Sequence, residues 1–367
     1  MPVGLLVMRW DERIGMKILI KYPEEINLTT KTLIQVYSTH EYTGEPGMIS
    51  LMVANLNITS YFTGTERNLY ILLLLMLDED PDIYESGLVD VSHVILQNYD
   101  DDSFLQMIPS LFQHLSIFPT LNEEQHLAMT YQNEIKRNII NRLREEGVVS
   151  KSEFMVWLKE IYNIGSIDID SVLTELIRKE IVKEASVKGV PSELIFLTKD
   201  LLMIRRPPIN LLRNLSEKGL SSQIIRDYQS SVKEFFHNYR PSEEDNLKII
   251  NALVNPQVYE TLRLLRIKIV TREELQKLKK KGVEDTAGVL KALYDCQLIK
   301  VFQGKNGKEH YALISDFYLG FMFPKYLLNI IKREYENKSK ANPVLIECLD
   351  VLETSYLNLK SKKKIKK

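Results

Sequence analysis

Residues 140–158 read INRLREEGVVSKSEFMVWL, and residues 261–278 read TLRLLRIKIVTREELQKL. Val149, Ser150, Glu153 and Phe154 of the first stretch stand against Val270, Thr271, Glu274 and Leu275 of the second. In both, a hydroxyl residue precedes a glutamate by three positions. That spacing lets each side chain satisfy the other residue's free amide at a helix start. The correspondence continues downstream, where VLTELIRKEIVKE at 172–184 matches VLKALYDCQLIKV at 289–301, with Leu173 and Leu176 answering Leu290 and Leu293. Each copy then closes in a two-stranded hairpin: residues 183–200 turn at Gly189, and residues 300–316 turn at Gly304 and Gly307. A pattern that recurs with its cap, its leucines and its turn glycines in register is a duplicated unit. The matched leucines are expected in the two cores, where Leu290→Ala would cost about 2–5 kcal/mol.

Helix, capped helix, helix and hairpin is the pattern of the winged-helix superfamily, which both copies resemble over residues 130–205 and 250–318. The resemblance implies a third helix available for a DNA groove, read by Arg, Lys, Asn or Gln near its start. Here those starts carry Asp168 and Asp170, with Glu175 one turn on, and Glu284 with Asp285. Carboxylates suit a helix N-terminus but repel phosphate, so weak, non-specific DNA binding is expected. Against this stands a basic cluster in the second copy: Arg263, Arg266, Lys268, Arg272, Lys277, Lys279, Lys280 and Lys281, with Lys305 and Lys308 on the hairpin. Lys277, Lys279, Lys280, Lys281, Lys305 and Lys308 are the candidate anion-binding residues, for nucleic acid or lipid head groups. The surface chemistry looks more like the protein-binding tandem winged helices of ESCRT-II-type sorting complexes.

The N-terminal third reads differently. VGLLVMRW and GMKILIKYP are two strands joined at Gly15. A helix follows, with Leu33, Val36 and Tyr37 on one face and Thr29 or Thr30 at its start. GMISLMVAN, ITSYFTGTE and NLYILLLLML read as three more strands, and residues 82–97 as a helix with Ile83, Leu88, Val91 and Ile95 in a stripe. This order, with the opening RWDERIGMKIL, is similar to longin and roadblock-type domains over residues 1–100. Met16 stands where proline is common in the D-x-x-x-G-P-x-I hairpin of those domains. The resemblance implies a scaffold for small GTPases, sorting-complex subunits or a second copy of the chain, and no catalytic residue. Asp11, Glu12 and Arg13 at the hairpin tip are either a solvated turn or a partner contact.

Charge is balanced overall, 48 Lys and Arg against 49 Asp and Glu, but badly mixed. Between Arg67 and Lys136 stand Asp78, Glu79, Asp80, Asp82, Glu85, Asp90, Asp100, Asp101, Asp102, Glu123, Glu124 and Glu134, with no cation among them. Asp78, Glu79, Asp80, Asp82, Asp100, Asp101 and Asp102 are the candidate acidic docking residues for a basic partner.

The 367 residues point to several domains. The expected plan is α+β: a longin-like domain at 1–100, a helical linker at 101–129, a first winged helix at 130–208, and a connecting helix at 209–248. A second winged helix at 249–318, C-terminal helices at 319–360 and a basic tail at 361–367 complete it. MIRRPP, residues 203–208, is expected to be a linker with exposed Arg205 and Arg206, because Pro207 and Pro208 stop a helix. Tyr326, Ile330 and Ile331 are expected to pack on the second winged helix or on another chain.

Cys296 and Cys348 make no disulfide framework, and no Cys or His spacing suits zinc. No phosphate-binding loop, dinucleotide fingerprint or nucleophile elbow occurs, and the six histidines are scattered. The longest apolar run, Leu69 to Leu77, is half a bilayer span. The expectation is a cytoplasmic, non-catalytic adaptor without cofactor or metal. Its expected partners are proteins, with peripheral contact to anionic membrane and homodimerisation left open. The alternative is a DNA-binding transcriptional regulator.

Overall fold

The computed structural model describes residues 2–11, 13–43, 46–65, 67–162, 169–213, 215, 220–304 and 307–365. With 54% helix and 22% strand in several small antiparallel sheets, the fold is α+β. Contacts divide the chain into two compact units: Met1–Leu121 with Asn141–Thr198 and Tyr326–Asn358, and Asn122–Ile140 with Lys199–Lys325 and Leu359–Lys367.

The chain opens with β1 (Gly4–Asp11), β2 (Gly15–Tyr22), α1 (Thr30–Thr43), β3 (Gly47–Val53), β4 (Leu56–Phe62), β5 (Leu69–Leu75), α2 (Glu85–Gln97) and α3 (Phe104–Ile117). The five strands form one antiparallel sheet in the order β2-β1-β5-β4-β3. Alternate residues of β1 and β5 point to opposite faces. Leu6, Met8, Leu72 and Leu74 join Leu33 and Val36 of α1 in one core, while α2 and α3 cover the opposite face. Every residue of β5 is therefore buried, which accounts for its unbroken apolar run. Thr29 Oγ1 accepts the Thr32 amide at 3.2 Å and starts α1.

Next comes α4 (Glu123–Gln132), which packs on elements of the second unit, and then α5 (Glu134–Glu146), β6 (Val148–Ser150), α6 (Lys151–Tyr162), α7 (Ile169–Arg178), β7 (Val182–Ala185) and β8 (Leu194–Leu197), which form the first copy of the repeat with the sheet order β6-β8-β7. The sequence cap is present: Glu153 accepts the Ser150 amide at 3.1 Å, and Ser150 Oγ accepts the Glu153 amide at 3.2 Å. Leu143, Phe154, Leu158, Leu173, Leu176 and Ile195 fill this core.

The chain goes on through β9 (Asp200–Arg206), α8 (Ile209–Arg213), α9 (Ser222–Asn238), α10 (Glu243–Leu253) and α11 (Pro256–Ile267). The second copy continues with β10 (Val270–Thr271), α12 (Arg272–Gln276), a 3-10 turn at Lys277–Lys281, α13 (Thr286–Asp295), β11 (Ile299–Gln303) and β12 (Glu309–Leu313). Its sheet order, β10-β12-β11, repeats that of the first copy. Thr271 and Glu274 form the second capping box. The last elements are β13 (Asp316–Met322), α14 (Leu327–Asn337) and α15 (Asn342–Ile365).

Four expectations change. MIRRPP is no exposed linker: Met203 to Arg206 belong to β9, which pairs antiparallel with β13 so that Arg205 stands opposite Phe317. Arg205 is buried, because Asp245 accepts its guanidinium at 2.7 and 2.5 Å, and the Cys296 carbonyl at 2.6 Å. Residues 316–322 are a strand and not the start of a helix, with Phe317 and Leu319 buried on either side of the exposed Tyr318. Leu327, Ile330 and Ile331 of α14 line one cavity with Gly147, Val148, Phe196 and Leu197 of the first copy, in the first unit. Lys340 secures this docking by donating to the carbonyls of Glu146 and Val148 at 3.1 and 2.7 Å. Finally, Leu290 is only half-buried, whereas its counterpart Leu173 is 1% exposed. Leu290→Ala is therefore expected to cost about 1 kcal/mol or less. Urea titration beside Leu293→Ala checks this, since equal losses would put Leu290 back in the core.

Candidate functional site

The hairpin tip is built by Asp11. Its Oδ1 accepts the amides of Arg13 and Ile14 at 2.9 and 3.0 Å, and those backbone bonds hold its carboxyl below the ordinary carboxylate range. Gly15, at φ +79°, completes the turn. Arg13 is exposed, and Glu12 lies outside the described residues. Asp11 thus has a structural task at the tip.

The seven acidic candidates do not form one surface. Asp78, Glu79, Asp80 and Asp82 lie just before α2, and Asp100, Asp101 and Asp102 lie just after it. The 13 residues of α2 place the two groups about 20 Å apart. Several of these groups already have partners within the first unit. Glu79 accepts from Tyr84 Oη at 3.1 Å, Asp80 caps the Asp82 amide, and Asp100 pairs with Arg67 at 2.9 Å. Asp101 accepts from the Ser103 hydroxyl and amide, which hold its carboxyl low. In the same window Glu85 pairs with Arg178, and in the second unit Glu124 pairs with Arg266 at 2.7 Å. Asp78, Asp82 and Asp102 are exposed.

The third helices of the two copies differ in what covers them. In the first copy, α7 lies against α2, with Arg178 bonded to Glu85. Asp170 is bound by Lys151, which also holds Glu184, at 2.5 and 2.9 Å. Burial opposes the charge on this lysine, but the two carboxylates outweigh burial and raise its pKa. Glu175 is buried against Lys179 at 2.5 Å. Asp168 lies outside the described residues.

In the second copy a cleft of about 590 Å³ runs between α12, α13 and the strands β11 and β12. Gly282, at φ +85°, ends the lysine-rich turn and lets the chain reverse into α13. Asp285 caps α13 by accepting the Gly288 amide at 2.8 Å, and the Glu284 and Asp285 amides both donate to Gln257 Oε1 of α11. One wall of the cleft is apolar: Ala287, Leu290 and Tyr294 of α13 with Val301 of β11. Tyr294 is 60% exposed and Val301 36%. Arg272, Lys279 and Lys291 line the same cleft, as do Glu284 and Asp285.

Lys279 is the only member of the predicted anion-binding set on the described cleft lining; Lys277, Lys280 and Lys308 are exposed outside it. Lys281 closes the turn, and Lys305 lies outside the described residues. Other cations of the predicted cluster are engaged: Lys268 with Glu274 at 2.5 Å, Arg263 with Glu260 at 3.0 Å, and Arg266 with Asp316 at 2.9 Å. Sequence reasoning missed Tyr294. The available signal was an aromatic residue standing where the first copy has Ile177.

No family model, curated protein or solved structure matches the chain. Among the described residues, no helix is long and apolar enough to cross a membrane.

Proposed function

We propose that this chain is a non-catalytic adaptor that assembles protein partners through a longin-like domain and two winged-helix-like modules. The antiparallel order β2-β1-β5-β4-β3 with helices on both faces supports the first likeness, and the repeated helix-strand-helix-helix-hairpin order supports the second. A role in small-GTPase or membrane-remodelling assemblies belongs to the same reading. The observation that carries it is the exposed face of α13. It offers Ala287, Leu290 and Tyr294, behind a start marked by Glu284 and Asp285. Base reading calls for Arg, Lys, Asn or Gln near that start, whereas exposed aromatic and aliphatic groups beside arginine suit protein contacts. In the first copy the corresponding helix is in contact with α2.

A second reading, the DNA-binding regulator, draws on exposed Lys277, Lys279, Lys280 and Lys308. Duplex DNA and anionic-vesicle titrations separate the two. The adaptor should bind DNA only weakly and in a salt-dependent way, near or above 10⁻⁶ M, on the order of non-specific complexes. Reversing Lys277, Lys279, Lys280 and Lys281 to glutamate should remove binding to both anionic probes and leave the melting temperature nearly unchanged. A sequence-selective duplex complex tighter than about 10⁻⁸ M would replace the adaptor with the regulator.

A further inference from the structure

The two copies of the repeat share a topology but not a covering, and the difference points to what the second one binds. On α7 of the first copy, Leu173 is 1% exposed and Ile177 is half-buried. Their counterparts on α13 are Leu290, half-buried, and Tyr294, 60% exposed. α7 also touches another helix, α2, whose Glu85 carboxylate pairs with Arg178. Among the described residues, the side of α13 that carries Leu290 and Tyr294 stays open to the cleft, and it is bordered by cations. Arg272, Lys279 and Lys291 are exposed at the cleft and have no acidic partner among the described residues.

We infer that the α12–α13 cleft is a docking site for an amphipathic acidic helix of a partner protein. The inference rests on the adaptor reading and gives that reading a ligand chemistry. The apolar stripe of the incoming helix, repeating at i, i+3, i+4 and i+7, lies along Leu290, Tyr294 and Val301. Its carboxylates meet Arg272, Lys279 and Lys291. Tyr294 is the anchor, since a tyrosine ring offers a large contact area with few torsions to freeze and a hydroxyl at the rim. Glu284 and Asp285, fixed by Gln257 and by the cap of α13, sit at one end of the cleft and repel carboxylates there. The acidic flank is thereby directed to the lysine side. A second copy of this chain does not provide the occupant through α2, because α2 is already buried between the sheet and α7.

The test is a phage-displayed library of helical peptides, about five turns long, selected on the full-length protein and in parallel on Tyr294→Ala and on the Lys279→Glu, Lys291→Glu double variant. Enriched peptides should carry an apolar stripe flanked by Glu and Asp. In fluorescence anisotropy they should bind the wild type about thirtyfold or more tightly than Tyr294→Ala, a hot-spot-sized effect. The double charge reversal should select against acidic flanks, while both variants keep the wild-type melting temperature. The site is overturned if no peptide enriches, if enriched peptides are basic, or if they bind all three proteins equally. It is also overturned if the chain self-associates through this face and Tyr294→Ala abolishes that association. The adaptor reading survives those outcomes when partners cross-link elsewhere on the chain. Sequence-selective duplex binding lost in Tyr294→Ala would remove both.

Discussion

Arg205→Ala is expected to destabilise the second unit by about 3–5 kcal/mol, because it removes a buried guanidinium and its hydrogen bonds and leaves the half-buried Asp245 carboxylate without its cation. The side chain of Arg205 has 0% exposure and spends its donors on Asp245, the Ser315 hydroxyl at 2.7 Å and the Cys296 carbonyl at 2.6 Å. Its guanidinium also lies 5.3 and 5.4 Å from the ring centres of Phe235 and Tyr239. One residue of β9 therefore ties α9, α10 and the end of α13 to β13. Alanine leaves Asp245 without its cation and takes the donor from the Cys296 carbonyl and the Ser315 hydroxyl. Urea unfolding followed by tryptophan-independent far-UV circular dichroism measures the loss. The paired variant Arg205→Met with Asp245→Leu removes both charges and should recover most of it, since apolar replacement of a whole buried pair is often close to neutral. A loss below about 1 kcal/mol for Arg205→Ala would mean that the network contributes no more than a surface pair.

The same pair sets an acid limit. Burial would push the Asp245 carboxyl up, but the hydrogen bonds and charge of Arg205 outweigh it and hold the pKa below the ordinary value. A carboxyl depressed in the folded state contributes stability above its unfolded pKa. That contribution is lost as pH falls through the lower, folded value.

In the first unit, lowering the pH from about 6.5 to about 4 is expected to remove about 3 kcal/mol through His40 alone. His40 is buried in the sheet domain, where Nε2 and Ser60 Oγ are 3.0 Å apart and the rings of Phe62 and Tyr70 lie within 6 Å. Burial brings its pKa down to about 4. The unfolded histidine takes up a proton near pH 6.5 and the folded one does not. Stability is therefore complete above about 6.5 and declines steadily toward 4. His114, also lowered by burial, contributes with the same sign. Equilibrium denaturation across this range for the wild type and His40→Gln isolates the effect: the variant should be weaker at neutral pH but should have a flatter profile. Parallel profiles would show that His40 takes up its proton equally well in the folded protein.

What the sequence determined by itself is local. The two capping boxes, the Asp11 to Gly15 turn and the hairpin glycines are contacts within a few residues of the chain, and they appear where their spacing predicts. The strand order of the first hundred residues and the duplicated helix-helix-hairpin were legible for the same reason, because period and punctuation survive any tertiary arrangement. What only the tertiary structure decided is which side of each element is covered. Arg205 and Arg206 read as solvated because they precede two prolines; Arg206 is exposed, but β9 pairs with a strand about 110 residues away, and the half-buried Asp245 carboxylate takes the buried Arg205. Leu173 and Leu290 are equivalent in sequence, yet one is buried in the core of its copy and the other is half-buried beside a cleft. The acidic run reads as one patch, but α2 stands between its halves. Periodicity names the apolar face of a helix; the free energy that covers it comes from partners distant in sequence, and nothing in a local pattern encodes whether such a partner belongs to the same chain.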